Sequence, residues 1–321
     1  MTTGPRDILL VHNGSSPASR DACERAAGIL RAGGYRARPL ASATARGLSE
    51  LLTDTLRRES QAVAAVVAVG GDGMVHLVLQ CLDTLNRQGV DLPFGLVPAG
   101  SGNDLARHHG VPSQDVERAA GRVLRGLESA PRRTDLLRVE CADGTRHVCA
   151  TAVCLGLDAR INARANRWSR VRASAKYVVA LAVDLMSMRA RPYQLSWSSP
   201  DGSEHTAARD LTLLTLANTS SIGGGLTIVP AADAGDGTAE LFMVSDVGPV
   251  KFVVSLPRLW LGSHVTLPEV AVEPAVSASV AVSAHATGHS PGGDMAFGDG
   301  ERLGPLPVSL RVLPAAVQIL F

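Results

Sequence analysis

With 321 residues the chain is long enough for two compact domains, each burying its own core. Aromatic residues make up only 3%, so those cores must be built from Val, Leu, Ala and Ile, and a net charge of +1 argues against a nucleic-acid binder, whose footprint would be strongly basic. Five cysteines with no C-x-x-C pair point to reduced core thiols of a cytoplasmic protein and away from a disulfide framework or a zinc site. The N-terminal residues run directly into a strand, with no cationic segment ahead of a long apolar one, so no signal peptide is expected. The most apolar later stretch, 177–188, is interrupted by Asp184 and is too short to span a bilayer.

In chain order, residues 8–11 are a short apolar run of the buried parallel-strand kind, ending at the turn His12-Asn13-Gly14-Ser15-Ser16-Pro17. A helix is expected over about 21–31, stopped by Gly33-Gly34. A strand at 35–40 and Leu48, Leu51, Leu52 and Leu56 at helical spacing come next. The run 62–69 is a third strand, and it ends at Gly70-Gly71-Asp72-Gly73. Beyond that turn Met74, Leu77, Val78, Cys81, Leu82 and Leu85 fall at i, i+3, i+4, i+7, i+8 and i+11, the apolar stripe of a helix packed on a sheet. A fourth run, 94–97, leads into a second glycine-rich turn, Pro98-Ala99-Gly100-Ser101-Gly102-Asn103-Asp104. This alternation predicts a doubly wound parallel sheet with its turns at the carboxyl ends of the strands, where ligands bind.

After a helix over about 113–127, Pro131 and Arg132-Arg133 mark a crossover, Asp135 opens a strand at 136–140, and 147–153 reads as the return arm of a hairpin. One long helical segment, about 159–188, interrupts a strand-rich half. In that half Tyr193, Leu195 and Trp197 alternate with polar residues, 199–203 is a turn, and 211–216, 240–244, 270–273, 276–282 and 308–313 are strands. The expected fold is α/β + β. A doubly wound parallel-sheet nucleotide-binding domain occupies residues 1–135, and an antiparallel β-sandwich-like domain occupies 136–304.

Each glycine turn joins a strand to a helix, so unsatisfied backbone N–H groups and a positive helix end meet at one place, which suits a phosphate. Paired glycines allow close backbone approach that a Cβ would block. The aspartates in the turns, Asp72 and Asp104, suit a magnesium-bound polyphosphate better than a bare anion. No G-x-x-x-x-G-K-[ST] occurs, and neither lysine, Lys176 or Lys251, follows a glycine turn, which excludes a Walker-type NTPase.

GGDG by itself is compatible with phosphofructokinase-like or NAD kinase-like turns and with an ordinary strand-to-helix turn. GGDG followed by PAGSGND resembles the catalytic-domain family of diacylglycerol kinases, sphingosine kinases and bacterial lipid kinases. Further landmarks match in order: Gly156-Leu157-Asp158-Ala159, then Asn218 with Gly223-Gly224-Gly225, Pro230 and Asp236-Gly237, and finally Asp299-Gly300-Glu301. The resemblance implies that Asn13, Ser16, Gly70, Gly71, Asp72, Gly73, Gly100, Ser101, Gly102 and Asn103 hold ATP. It implies that Asp72, Asp104 and Asp135 form a magnesium and water network at the domain cleft, with Asp72 also catalytic and Asp236 at a second, structural magnesium. By the same resemblance Glu301 is the base that takes the proton of a lipid hydroxyl, and residues 305–321 return to complete the first domain. The chain departs from the family pattern at Gly14, Met74, Leu77, Thr151 and Ala231.

The expected activity is therefore transfer of the γ-phosphoryl group of ATP, with magnesium, to a lipid hydroxyl, that of diacylglycerol first, giving phosphatidic acid. The alternatives are a soluble NAD kinase-like phosphotransferase, which PAGSGND opposes, and a silent nucleotide-binding regulator, motivated by Gly14, Met74 and Leu77. A lipid acceptor implies peripheral contact with a membrane from the cytoplasm; a homodimer stays open, and no nucleic-acid partner is expected. Arg160, Arg164 and Arg167, followed by Trp168, Arg170, Arg172 and Lys176, form either a basic membrane-facing helix side or a solvated one. Residues 252–261, around Pro257 and Trp260, are a second membrane candidate or plain core.

Overall fold

In the computed structural model, residues 6–156, 190–283 and 295–321 are described. The helical segment expected over 159–188, its basic face and the Leu157-Asp158 landmark lie outside them. The chain divides into two units, one formed by residues up to Thr134 with Ala315–Phe321, the other by Asp135–Pro314.

In the first unit the apolar runs become parallel strands, the inner ones buried on both faces and the edge strand at 36–42 only at Ala37 and Leu40. These are β1 (Asp7–Asn13), β2 (Arg36–Ser42), β3 (Val63–Gly70) and β4 (Phe94–Pro98), in the order β4-β3-β1-β2. All eight residues of β3 are buried. Helices α1 (Pro17–Ala32), α2 (Ala45–Glu59), α3 (Asp72–Asn86), α4 (Asp104–His108) and α5 (Val116–Glu128) make the connections. α1 starts earlier than its apolar pattern suggests because the preceding turn is its cap. The Ser19 amide donates to Ser16 Oγ at 3.2 Å, and Pro17, whose missing N–H costs nothing in a first turn, pre-sets the backbone. α3 likewise begins at Asp72, so half of the GGDG turn is already helical. α5 begins at 116, capped by Asp115, whose Oδ1 accepts the Arg118 amide at 2.9 Å.

The second unit is antiparallel. Strands β5 (Arg132–Cys141), which starts in the first unit, and β6 (Arg146–Cys149) form a hairpin, with Leu137 opposite Cys149. The expected hairpin arm at 147–153 is thus two elements. The chain bends at Ala150-Thr151, and β7 (Ala152–Cys154) pairs with other strands. Strands β8 (Arg191–Ser198) and β9 (Glu204–Ala217) form a long hairpin, and the second half of β9 pairs with β12 (Ala239–Ser245) and β7. β10 (Ser221–Ile222) and β11 (Leu226–Thr227) flank Gly223-Gly224-Gly225, all three at positive φ, which explains why only glycine fills them. β13 (Val270–Ala275) pairs with β12, and β14 (Ser277–Val282) joins β8 to β17 (Val308–Ile319), whose last residues belong to the first unit. β15 (Met295–Gly298) and β16 (Glu301–Pro305) form a hairpin that the sequence pattern does not reveal, since neither strand is long or alternating.

Tyr193, Trp197, Leu214, Leu241 and Val280 lie in one buried cluster of this unit, and the Tyr193 hydroxyl donates to Leu155 O at 2.8 Å, so its polar end is satisfied. Residues 249–261 form helix α6 (Pro249–Leu261), with Pro249 in its first turn and Gly262 as a left-handed C-cap at φ 65°. An interior Pro257 conceals this helix from a propensity reading. All five cysteines are free and buried. Among the described residues, no helix is long and apolar enough to cross a membrane.

Candidate active site

Strand register brings the two glycine turns together. β3 and β4 pair in parallel from Val66 opposite Phe94 to Gly70 opposite Pro98, so both chains leave the sheet at the same edge. The Ala99 amide then donates to Gly70 O at 2.9 Å. Gly71 and Gly100 stand back to back: a Cβ on Gly100 would lie 2.3 Å from Gly71 Cα, and one on Gly102 would lie 2.3 Å from Asp72 Oδ2. These distances are impossible for real side chains. The glycines here are demanded by contact between the turns.

Asp72 is the bridge. Its Oδ2 accepts the Asn103 amide and its Oδ1 accepts the Asp104 amide, both at 2.8 Å, so one carboxylate at the start of α3 holds the N-terminus of α4. Asn103 adopts a left-handed conformation, φ 54° and ψ 45°. Its side chain closes the turn: the Gly100 amide donates to Oδ1 at 3.2 Å, and Nδ2 donates to Gly100 O at 2.8 Å. Asp104 is buried, and Arg107 Nη1 reaches both its Oδ1 at 3.1 Å and Gly102 O at 3.0 Å. Gly73 and Ser101 are exposed on this edge.

β1 lies on the other side of β3, with His12 opposite Val69, so Asn13 and Ser16 emerge at the same ends of the strands. Asn13 Oδ1 accepts the Ser15 amide at 2.9 Å, and Ser16 caps α1. Gly14 donates its amide to Ser42 O at 3.0 Å, a bond that proline could not make. Met74 sits within the first turn of α3, its amide bound to Gly71 O at 2.9 Å. Leu77 is half-buried on the same helix.

In the second unit a separate polar network is buried. Asp299, at φ 51°, and Gly300, at φ 81°, form the two-residue turn between β15 and β16, and positive φ at both positions is the geometry of a tight type I′ hairpin. The Asp299 carboxylate accepts the amides of Ala150, at 3.0 Å, and Thr151, at 2.8 Å, and the Thr151 hydroxyl at 2.7 Å. This fixes the bend that separates β6 from β7. Asn218 Nδ2 donates to Ala150 O at 2.8 Å and to Asp135 O at 3.0 Å, while Asp135 Oδ2 accepts the Gly237 amide at 2.7 Å. Asp135 is thus tied through Asn218 to the bend that Asp299 holds. Burial first, and the Asp299 charge second, push the Cys149 thiol well above its usual range, so it stays protonated. Glu301 opens β16 and is exposed.

Asp236 is exposed and engages its own turn, accepting the Thr238 amide and hydroxyl, both at 2.8 Å, while Asp233 accepts the Gly235 amide at 3.0 Å. Asn218, Thr151 and Asp299 were not singled out as functional by residue reasoning. The order of family landmarks, which includes Asn218 and Asp299, was the available signal.

The first unit's donor set fits the groups that the motifs imply. Glycine turns with no room for a Cβ leave the backbone bare for phosphate oxygens, and Asp72 and Asp104 are hard oxygen donors of the kind magnesium takes. Fold and turns together define an α/β phosphate-handling unit joined in one chain to an antiparallel β unit. Comparison with known families agrees. The model of the diacylglycerol kinase catalytic domain matches residues 7–139, and that of the YegS C-terminal NAD kinase beta sandwich-like domain matches residues 151–321. A diacylglycerol kinase of Mycobacterium tuberculosis (strain H37Rv) is 35% identical over 256 residues, covering 80% of this chain and 76% of the relative. A Stenotrophomonas maltophilia protein named "Probable lipid kinase YegS-like" is 29% identical, over 58% of this chain and 57% of its own. Among solved structures, a diacylglycerol kinase from Bacillus anthracis str. Sterne superposes with a TM-score of 0.66 at 15% identity, over 100% of this chain and 98% of that one, which supports the fold alone. The chain belongs to the family of diacylglycerol kinases and YegS-like lipid kinases, and is by class a lipid kinase.

Proposed function

We propose that this kinase transfers the γ-phosphoryl group of ATP to the free hydroxyl of diacylglycerol, giving phosphatidic acid and ADP. The observation that carries the reading is the Asp72 bridge, because it holds two N–H-rich glycine turns in one fixed arrangement. Phosphoryl transfer asks a protein chiefly for positioning and for neutralisation of phosphate charge. Asn13, Ser16 and the residues 70–73 and 100–103 position the nucleotide, and Asp72 and Asp104, with Asp135, hold magnesium, which when bound supplies that neutralisation. Asp236 holds a second, structural magnesium. Glu301 takes the hydroxyl proton as the oxygen attacks the γ-phosphorus, and the bond to the β-γ bridging oxygen breaks to release ADP. An exposed acid at the head of a strand anchored by buried Asp299 suits that role. The first unit, residues up to Thr134 with Ala315–Phe321, binds ATP, and the second, Asp135–Pro314, supplies the lipid pocket. The acceptor is named from the diacylglycerol kinase relative at 35% identity.

A radiolabelled-phosphate assay against diacylglycerol, ceramide, sphingoid bases, polyprenols, glycolipids and NAD tests the proposal. Transfer to diacylglycerol is expected, and Asp72→Ala and Glu301→Ala should each abolish it. Preference for another lipid would replace the acceptor, and transfer to NAD alone would overturn the reading.

A further inference from the structure

Helix α6 has two apolar faces where a surface helix needs one. Phe252 and Leu259 turn inward onto a buried cluster that includes Ile228, Val229 and Phe242. On the opposite side Val250, Val254 and Leu261, at i, i+4 and i+11, are 78%, 72% and 80% exposed, with Val253 beside them at 45%. Exposed Pro257 falls at i+7 on the same line. Leu51 is the one other large aliphatic exposed among the described residues, so this is a concentrated stripe and not scattered surface chemistry. Lys251 and Arg258 lie along one flank of it. Lys251 is paired with Glu269, so the cation offered to an anionic headgroup is Arg258.

We infer that this outer face of α6 seats the enzyme on the lipid bilayer, inserting Val250, Val254 and Leu261 at the headgroup boundary with Arg258 toward the phosphates. The inference rests on the lipid-acceptor reading above, since a kinase whose substrate lies in a bilayer must reach the surface, and no helix among the described residues spans one. An apolar ridge with a basic flank is the form of an interfacial helix. A second copy of the chain fits less well: a few aliphatic side chains offer far less than the roughly 800 Å² per partner that a stable interface buries. Val and Leu also lack the aromatic anchors that concentrate binding energy at protein interfaces.

The test is co-sedimentation of the full chain with phosphatidylcholine vesicles, with and without phosphatidylglycerol. Val250→Ser/Val254→Ser/Leu261→Ser should lower the partition coefficient by about ten-fold or more. The double variant Val250→Ser/Val254→Ser should give an intermediate loss, with the melting temperature of both nearly unchanged because these side chains are largely exposed. Arg258→Glu should weaken binding only to the anionic vesicles, and added salt should erase that difference. Transfer to a monomeric short-chain diacylglycerol should be untouched by the serine variants, while transfer to vesicle-embedded diacylglycerol falls. Wild-type chain that ignores vesicles, or variants that bind them as well as wild type, would overturn the inference, as would variants that change only the oligomeric state. Stripe-dependent vesicle binding with no transfer to any lipid would instead sink the proposed function and leave the docking surface standing.

Discussion

The two units put their acidic residues to opposite uses. In the first, Asp72 is embedded: both carboxylate oxygens receive backbone amides from the partner turn, and the glycines around it leave no space for a Cβ. In the second, the work is divided between neighbours. Asp299 is buried and secures the bend at Ala150-Thr151, while Glu301, two residues on, is exposed. In the proposed reaction Asp72 serves the phosphate while the fold fixes it, so structure and chemistry would share one side chain. The proposed base, Glu301, would instead draw its rigidity from Asp299 and keep an open end, so structure and chemistry would separate along the chain.

Substitution can break this contrast. The largest effect is expected for Glu301→Ala, which should bring transfer below detection by removing the about 10²–10⁴ that a positioned base contributes. ATP binding and the urea midpoint should barely change. Asp299→Ala should do the reverse, losing roughly 3 kcal/mol of unfolding free energy by orphaning three buried donors. A Glu301 variant with wild-type turnover, or an Asp299 variant with wild-type stability, would erase the distinction.

Gly100→Ala sharpens the first half of the comparison. Its Cβ would meet the Gly71 backbone, which cannot rotate away as a side chain could. Roughly 1–3 kcal/mol of destabilisation is expected, with nucleotide affinity reduced in parallel because the turns must separate. Chemical denaturation together with titration of an ATP analogue would check both, and unchanged affinity would show that the interlock does not shape the site.

The smallest effect concerns His109, just beyond α4 in the same unit. Burial first, then the neighbouring His108, lower its pKa from 6.5 to about 3. The folded chain therefore keeps His109 neutral where the unfolded chain takes up a proton. Stability tied to this group is complete above about pH 6.5 and falls as the pH drops toward 3, at up to roughly 1.4 kcal/mol per pH unit. His109→Gln should flatten the difference between urea midpoints measured at pH 7 and pH 5. Equal slopes for the two proteins would show that His109 titrates normally.

Much of the architecture was legible because it is local. The apolar run 62–69, the stripe through Val78, Cys81, Leu82 and Leu85, and the alternation at Tyr193, Leu195 and Trp197 each carry their own period, and the α/β + β fold follows from their order. The misreadings were also physical. Ser16-Pro17 reads as a turn but caps α1, Pro257 masks α6, and the bend at Ala150-Thr151 is imposed by a carboxylate 148 and 149 residues away. For the candidate site, local signals were enough to place Asp72, Asp104 and their glycines at strand ends, since strand, turn and helix signals lie within a few residues of each other. Packing of the whole chain was needed for Asp72 to grip the amides of Asn103 and Asp104, for Asp299 to become a buried anchor beside an exposed Glu301, and for α6 to turn a second apolar face outward. A side chain's hydrogen-bond partner and its exposure depend on what the rest of the chain packs around it, which no local period records.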